Sequence, residues 1–201
     1  MQIVRIVLAV SFVGVIFSMT RCGEVQHHEQ IMNLVELHWD QTSEDYSKYR
    51  PGYPDDYFLL LQKLDIGLKN QDILDLGTGT GALALPFARQ GAHVTGVDIS
   101  KGQIDATKAL ASQRKLKIRF IVTKAEDTNL FNGSFDVITA SMCWGYLDQK
   151  KMPEEAARLF RKNGLLLIIS LNWERDGDTI AKRTGELLNK GNLYKLTAPM
   201  N

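Results

Sequence analysis

The chain has 201 residues, 44% of them hydrophobic and 23% charged, with 24 Lys and Arg against 23 Asp and Glu, enough polypeptide for one domain with a substantial core. This balance gives no concentrated basic surface of the kind nucleic acid requires. Two cysteines, Cys22 and Cys143, exclude a disulfide framework or a metal quartet, and His27, His28, His38 and His93 lack zinc-site spacing, so no metal is expected.

Residues 1–22 stand apart. The run IVLAVSFVGVIFSM (residues 6–19) is uncharged and follows Arg5, the pattern of a signal-peptide core or of a short membrane anchor. Arg21 sits where a cleavage site would want a small residue, and a start at Met19 or Met32 accounts for the run equally well. The sequence leaves these readings open: a cytoplasmic catalytic domain, with or without membrane contact through residues 6–19. Residues 23–58 follow, with the polar, aromatic stretch HWDQTSEDYSKYRPGYPDDY (residues 38–57) ending in turn punctuation at Pro51, Gly52 and Pro54. We expect residues 23–58 to fold over the site as a lid on a main domain of residues 59–201.

From there strand and helix patterns alternate, which predicts an α/β fold with a Rossmann-like, doubly wound, mostly parallel sheet covered by helices on both faces. YFLLLQKL is a helical run, and DILDLG the first strand of the alternation. The next helix is expected to begin near Thr80, with Pro86 kinking it or shifting its first turns. HVTGVD (residues 93–98) is a strand, and Ser100 with Gln103 forms a capping box for the helix after it. RKLKIR (residues 114–119) reads as a solvated helix end running into the strand IRFIV. FDVITAS (residues 135–141) is the next strand, behind a turn at Asn132-Gly133. A helix opens at Pro153 and runs through PEEAARLFRK to a stop at Asn163-Gly164, followed by the apolar strand LLLIIS (residues 165–170) and a last helix over about 179–189 capped by Asp178.

The stretch ILDLGTGTGALAL (residues 73–85) decides the ligand. Gly77, Gly79 and Ala82 satisfy a dinucleotide fingerprint, but glycines after a strand serve any ligand that approaches backbone N–H groups closely. Asp75 discriminates. It lies at the carboxyl end of its strand, where open α/β sheets bind ligands. A carboxylate there repels the two phosphates of NAD and attracts, directly or through water, the ammonium and sulfonium of S-adenosylmethionine. Asp98, 21 residues beyond Gly77, ends the next strand and is placed to accept from ribose hydroxyls, a role shared by both cofactor classes.

ILDLGTGTGALALPFARQGAHVTGVDIS, KAEDTNLFNGSFDVITASMCWGYLD and FRKNGLLLIIS together resemble the class I S-adenosylmethionine-dependent methyltransferases, in particular small-molecule enzymes carrying a YRPGYP-like motif, here residues 49–54. The resemblance runs from about Trp39 to Asn189. It implies that Asp75, Gly77, Thr78, Gly79 and Gly81 hold the methionine part of the cofactor, that Asp98 holds its ribose, and that Ile99 packs on the adenine. Ala125 and Glu126 match the loop that reads the adenine edge. Where many relatives have Asp before that alanine this chain has Lys124, so the adenine amino group is expected to be met by backbone or by Glu126. Ser141, Met142 and Trp144 match the strand end that faces cofactor and substrate; a large ring such as Trp144 is equally at home in a core.

Methyl transfer from a sulfonium is an in-line displacement governed by positioning, so no catalytic triad is required and none is visible. If a base assists, His38, Tyr46 and Tyr49 are the candidates; Trp144 at the strand end is a candidate for contact with the reacting groups. The resemblance also implies two antiparallel strands after residues 165–170, which GNLYKLTAPMN is too short to supply. The C-terminal antiparallel strands are therefore expected to be missing, and the 165–170 edge to need a cover, for instance in a homo-oligomer. The function that follows is methylation of a small-molecule acceptor; the alternatives are a cofactor-binding module without turnover and a nicotinamide-dependent oxidoreductase.

Overall fold

The computed structural model of the chain describes residues 5–10, in the course of their backbone only, and residues 52–170. The elements are β1 (Arg5–Val10), α1 (Asp55–Lys63), β2 (Asp72–Leu76), α2 (Ala84–Arg89), β3 (His93–Asp98), α3 (Lys101–Gln113), β4 (Ile118–Val122), β5 (Phe135–Ser141), a single 3-10 turn (Trp144–Tyr146), α4 (Lys151–Leu159) and β6 (Phe160–Ser170). They form one sheet in the order β1-β6-β5-β2-β3-β4, with β2 through β6 parallel. The chain runs outward from β2 to β3 and β4, then returns to the other side of β2 for β5 and β6. The two directions part at the carboxyl ends of β2 and β5, the place where such sheets take ligands.

Two-residue periodicity sorts each strand into two faces. Ile73 and Val137 face Phe58 and Leu61 of α1 and Leu83, Ala84 and Phe87 around α2. Leu74, Leu76, Ile138 and Ala140 face Met152, Ala156 and Leu159 of α4. Each fully buried side chain of this size contributes about 1.5–3 kcal/mol relative to exposure, which is why both faces of the central strands are apolar. Asp55 and Asp56 in its first turn and Lys63 in its last complement the dipole of α1.

Three boundaries differ from the sequence reading, each for a local reason. After the glycines the chain makes turns and becomes α-helical only at Ala84. Pro86 is then the third residue of α2, in the first turn, where the missing N–H interrupts no intrahelical bond. The helix expected to run to Lys162 ends at Leu159, because Phe160 is buried, pairs with Phe135 and begins β6; Asn163 takes a φ of 66° where the register shifts. The edge of residues 165–170, expected to lie open, is bordered by β1 in the sheet order, and residues 6–10 of the uncharged run belong to that strand. The rest of residues 6–19, the helix expected near 179–189 and most of the lid segment lie outside the described residues. Among the described residues no helix is long and apolar enough to cross a membrane.

At the amino end of the sheet charged and polar side chains link four neighbouring strands. Arg161 of β6 lies 2.9 Å from the Asp136 carboxylate of β5 and 2.7 Å from the Asp72 carboxylate of β2, and His93 Nδ1 of β3 lies 3.4 Å from Asp72 Oδ1. Asp136 also accepts the Asp72 backbone N–H at 2.9 Å. Arg161→Ala leaves two carboxylates facing each other; we expect a loss of about 1 kcal/mol, given partial exposure, seen as a fall in Tm of about 2–4 °C that shrinks in 1 M salt. A melt that does not respond to salt would count against the charge ladder.

Candidate active site

The turn after β2 takes its shape from side chains that converge on one carboxylate. Asp75 is 2% exposed. Its Oδ2 accepts from Thr78 Oγ1 and its Oδ1 from Thr139 Oγ1, both at 2.7 Å, and the Ala84 amide at the start of α2 also donates to it. Thr139 stands opposite Asp75 in the parallel register, so its side chain shares that face. Burial pushes the Asp75 carboxyl up to about 6, against the lowering effect of these donors, and the Asp98 charge pushes the same way. The group is enclosed by these donors, which tie the turn, β5 and the start of α2 to it.

Gly77 and Gly79 adopt left-handed conformations, with φ of 56° and 52°, accessible at little cost only to glycine. Gly77 has a second constraint. A Cβ there would lie 2.8 Å from Cys143 Cβ and 2.9 Å from Cys143 Sγ, and the Cys143 thiol donates to Leu76 O at 3.1 Å. At Gly79 such an atom would make only ordinary contact, with Gln103 Oε1 at 3.8 Å and Gly77 O at 3.9 Å. The Thr78 amide donates to Val97 O at 2.9 Å, tying the turn to β3, and the Thr107 hydroxyl of α3 donates to Gly79 O.

Asp98 at the end of β3 joins the turn to the next helix. Its Oδ2 accepts from the Gly79 amide at 2.8 Å and its Oδ1 from the Ser100 amide at 2.9 Å. The capping box is half as expected: Ser100 Oγ accepts from the Gln103 amide at 3.1 Å, while Asp98 takes the reciprocal place at the Ser100 amide. Beside it Ile99 is 64% exposed, a large apolar side chain standing open next to a carboxylate.

The remaining sequence candidates divide. Ala125 is buried against Leu76 and Val97. Glu126, expected at the adenine edge, uses Oε1 to accept the Asp148 amide at 2.7 Å. Ser141 Oγ is 2.6 Å from the Tyr53 hydroxyl, which brings the final tyrosine of the YRPGYP segment to the end of β5. Met142 turns the chain there with a φ of 57°, and Trp144 packs partly against the core. Gly81 lies against Thr107 and Leu85. His38, Tyr46 and Tyr49 lie outside the described residues. Thr139, Cys143 and Tyr53 were not singled out from sequence; a lone threonine in a strand covered on both faces was the available signal, since a buried hydroxyl needs a partner.

A cradle of left-handed glycines, set between two carboxylates at the strand ends, suits a ligand with a nucleoside and a cationic group. The comparisons agree. The sequence family described as a methyltransferase domain matches residues 73–164. That match takes in the glycine turn, both strand-end carboxylates and the strands around them, and likens this part of the chain to a methyltransferase domain. The chain is 36% identical over 113 residues to the ubiquinone biosynthesis O-methyltransferase of Pelagibacter ubique, a match covering 56% of this chain and 47% of that protein. The chain thus spans about half the length of the curated relatives it matches. Among solved structures, the YcgJ protein of Bacillus subtilis is 26% identical with a TM-score of 0.54, covering 68% of this chain and 58% of that one. An S-adenosylmethionine-dependent methyltransferase of Aquifex aeolicus shares the fold at 17% identity and a TM-score of 0.56, over 75% of this chain and 86% of its own.

Two measurements test the geometry of the glycine turn. Gly77→Ala should cost about 3 kcal/mol, from left-handed backbone strain plus overpacking. Combined with Cys143→Gly, which removes the colliding side chain, it should cost less than the sum of the two by about 1 kcal/mol or more; strict additivity would contradict the close approach. The second concerns pH. A carboxyl raised from 3.8 to about 6 in the folded state binds its proton more tightly there than in the unfolded chain, so its contribution is fully present below about 4 and is lost as pH rises through 6. Urea unfolding between pH 4 and pH 7 should show wild type losing up to about 3 kcal/mol more than Asp75→Asn; parallel profiles would refute the shift.

Proposed function

We propose that this chain transfers a methyl group from S-adenosylmethionine to an oxygen of a small molecule. The observation that carries the choice of ligand is the sign of the field at the turn. Burial and the charges of Asp75 and Asp98 push the Cys143 thiol up to about 12, and Asp98 helps to raise Asp75 itself. Groups at the turn therefore sense negative potential, which favours a cation and disfavours a pyrophosphate. Oxygen as the acceptor atom is supported by the relatives, which are O-methyltransferases by name.

In this reading the uncrowded backbone at Gly79 meets the ligand, Asp98 accepts from its ribose hydroxyls and Ile99 covers its adenine. Thr78, Gly77 and Gly81, shaped by Asp75, form the wall on the methionine side, and Ala125 backs the adenine loop. Bound there, S-adenosylmethionine supplies an electrophilic methyl group on a sulfonium. The chain's own work is to orient the acceptor oxygen: positioning of this kind supplies up to about 7–11 kcal/mol of barrier reduction. Ser141 and Tyr53, hydrogen-bonded at the end of β5, offer hydroxyls on the face that also carries Asp75 and Thr139.

Calorimetry with S-adenosylhomocysteine and with NAD tests the ligand. We expect binding of the former only, weakened about 10–100-fold by Asp98→Ala, the loss of hydrogen bonds to a charged acceptor. Binding of NAD without a response to S-adenosylhomocysteine would overturn the proposal. A tritiated-methyl screen of pooled hydroxylated metabolites then tests turnover; label transferred to nitrogen in place of oxygen would correct the acceptor, and none at all, with S-adenosylhomocysteine bound, would leave a binding module.

A further inference from the structure

The connection that leaves β5 at Met142 and returns to α4 is fastened at two points, to two different loops of the cofactor site. At its start Cys143 donates to Leu76 O and fills the space beside Gly77. Near its end the Asp148 amide donates to Glu126 Oε1 at 2.7 Å, and Glu126 belongs to the loop after β4 that also carries Ala125. Between these points the connection is one hydrogen-bonded body. Gln149 Nε2 donates to Trp144 O at 2.6 Å and to Leu147 O at 2.9 Å. Asp148 Oδ1 accepts the amides of Lys150 and Lys151 at 2.9 and 3.1 Å, which starts α4. Trp144 and Leu147 pack on the core cluster that contains Ala125, while Met142 and Tyr146 stand exposed.

From this arrangement we infer that Glu126 is a positioning residue: it does not read the adenine but holds the Asp148 amide, and so couples occupancy of the cofactor site to the order of residues 142–150, which border the acceptor. The inference rests on the S-adenosylmethionine reading, in which one ligand lies against both the turn at residues 77–81 and the loop at 123–128. A ligand that fixes both loops fixes both anchor points of the connection, and the body between them loses its freedom to open. Such coupling is reciprocal, so an ordered connection also favours the cofactor. Acceptance of the amide, rather than negative charge, is what the geometry requires of residue 126.

Hydrogen–deuterium exchange on the full chain, with and without saturating S-adenosylhomocysteine, tests this. In wild type the ligand should slow exchange at residues 77–83, 123–128 and 142–150. In Glu126→Ala protection at 77–83 should persist, while the ligand-induced slowing at 142–150 falls by about 5-fold or more, the low end of typical coupling. Glu126→Gln keeps an acceptor oxygen and should restore it. A merely structural role would speed exchange at 142–150 equally with and without ligand and leave the ratio unchanged; that result overturns the inference and spares the cofactor reading. Absence of protection at 77–83 in wild type overturns both.

Discussion

The carboxylate of Asp75 sits at the carboxyl end of the central strand and is held by donors from three parts of the chain: Thr78 in the turn, Thr139 on the neighbouring strand and the Ala84 amide at the start of a helix. Burying a charge costs several kcal/mol unless it is hydrogen-bonded, and these bonds are what make the position tenable. They also draw the turn, β5 and α2 to a common point. Gly77 and Gly79 can then take their left-handed conformations in one fixed place, and Cys143 can close against Gly77. Asp98 completes the arrangement from the other side by holding the Gly79 amide. The turn is therefore built around acceptors inside the protein that fix its backbone, with Ile99 exposed beside them.

A second buried carboxylate does comparable work on the opposite face. Burial pushes Glu155 up, but Arg158 and Thr128 outweigh it, holding the group down at about 2. Glu155 Oε1 accepts the Thr128 amide at 3.0 Å and its hydroxyl at 2.6 Å, and Arg158 extends the contact to Leu130 O and Asn132 Oδ1. The loop after β4 is thus pinned to α4. Its stabilisation is present above about 4.5 and lost as pH falls through 2, the reverse of Asp75, so the two groups press on stability from opposite sides of the pH scale.

The alternation of strands and helices along the chain was legible because apolar patterning and strand-end glycines are local signals, readable without knowing what they touch. Asp98 and the glycine turn were legible for the same reason. The place of Asp75 at the strand end was legible, but its enclosure was not, because it depends on Thr139, 64 residues away and opposite in the register. The pairing of Ser141 with Tyr53 and of Glu126 with Asp148 joins residues 88 and 22 apart; no spacing rule announces them. The early end of α4 was missed because Phe160 continues a helical pattern in sequence while its partner, Phe135, lies on another strand.

The thiol of Cys143 faces a chemical hazard peculiar to this location. Sulfur is a better nucleophile than oxygen, and a thiolate beside a bound sulfonium would compete with any acceptor for the methyl group, inactivating the protein by its own reagent. With its pKa pushed up to about 12, only about one molecule in 10⁵ carries that thiolate at pH 7. Burial does most to keep this sulfur protonated, and the charges of Asp75 and Asp98 add to it, so the packing that closes Cys143 against Gly77 also quiets its chemistry.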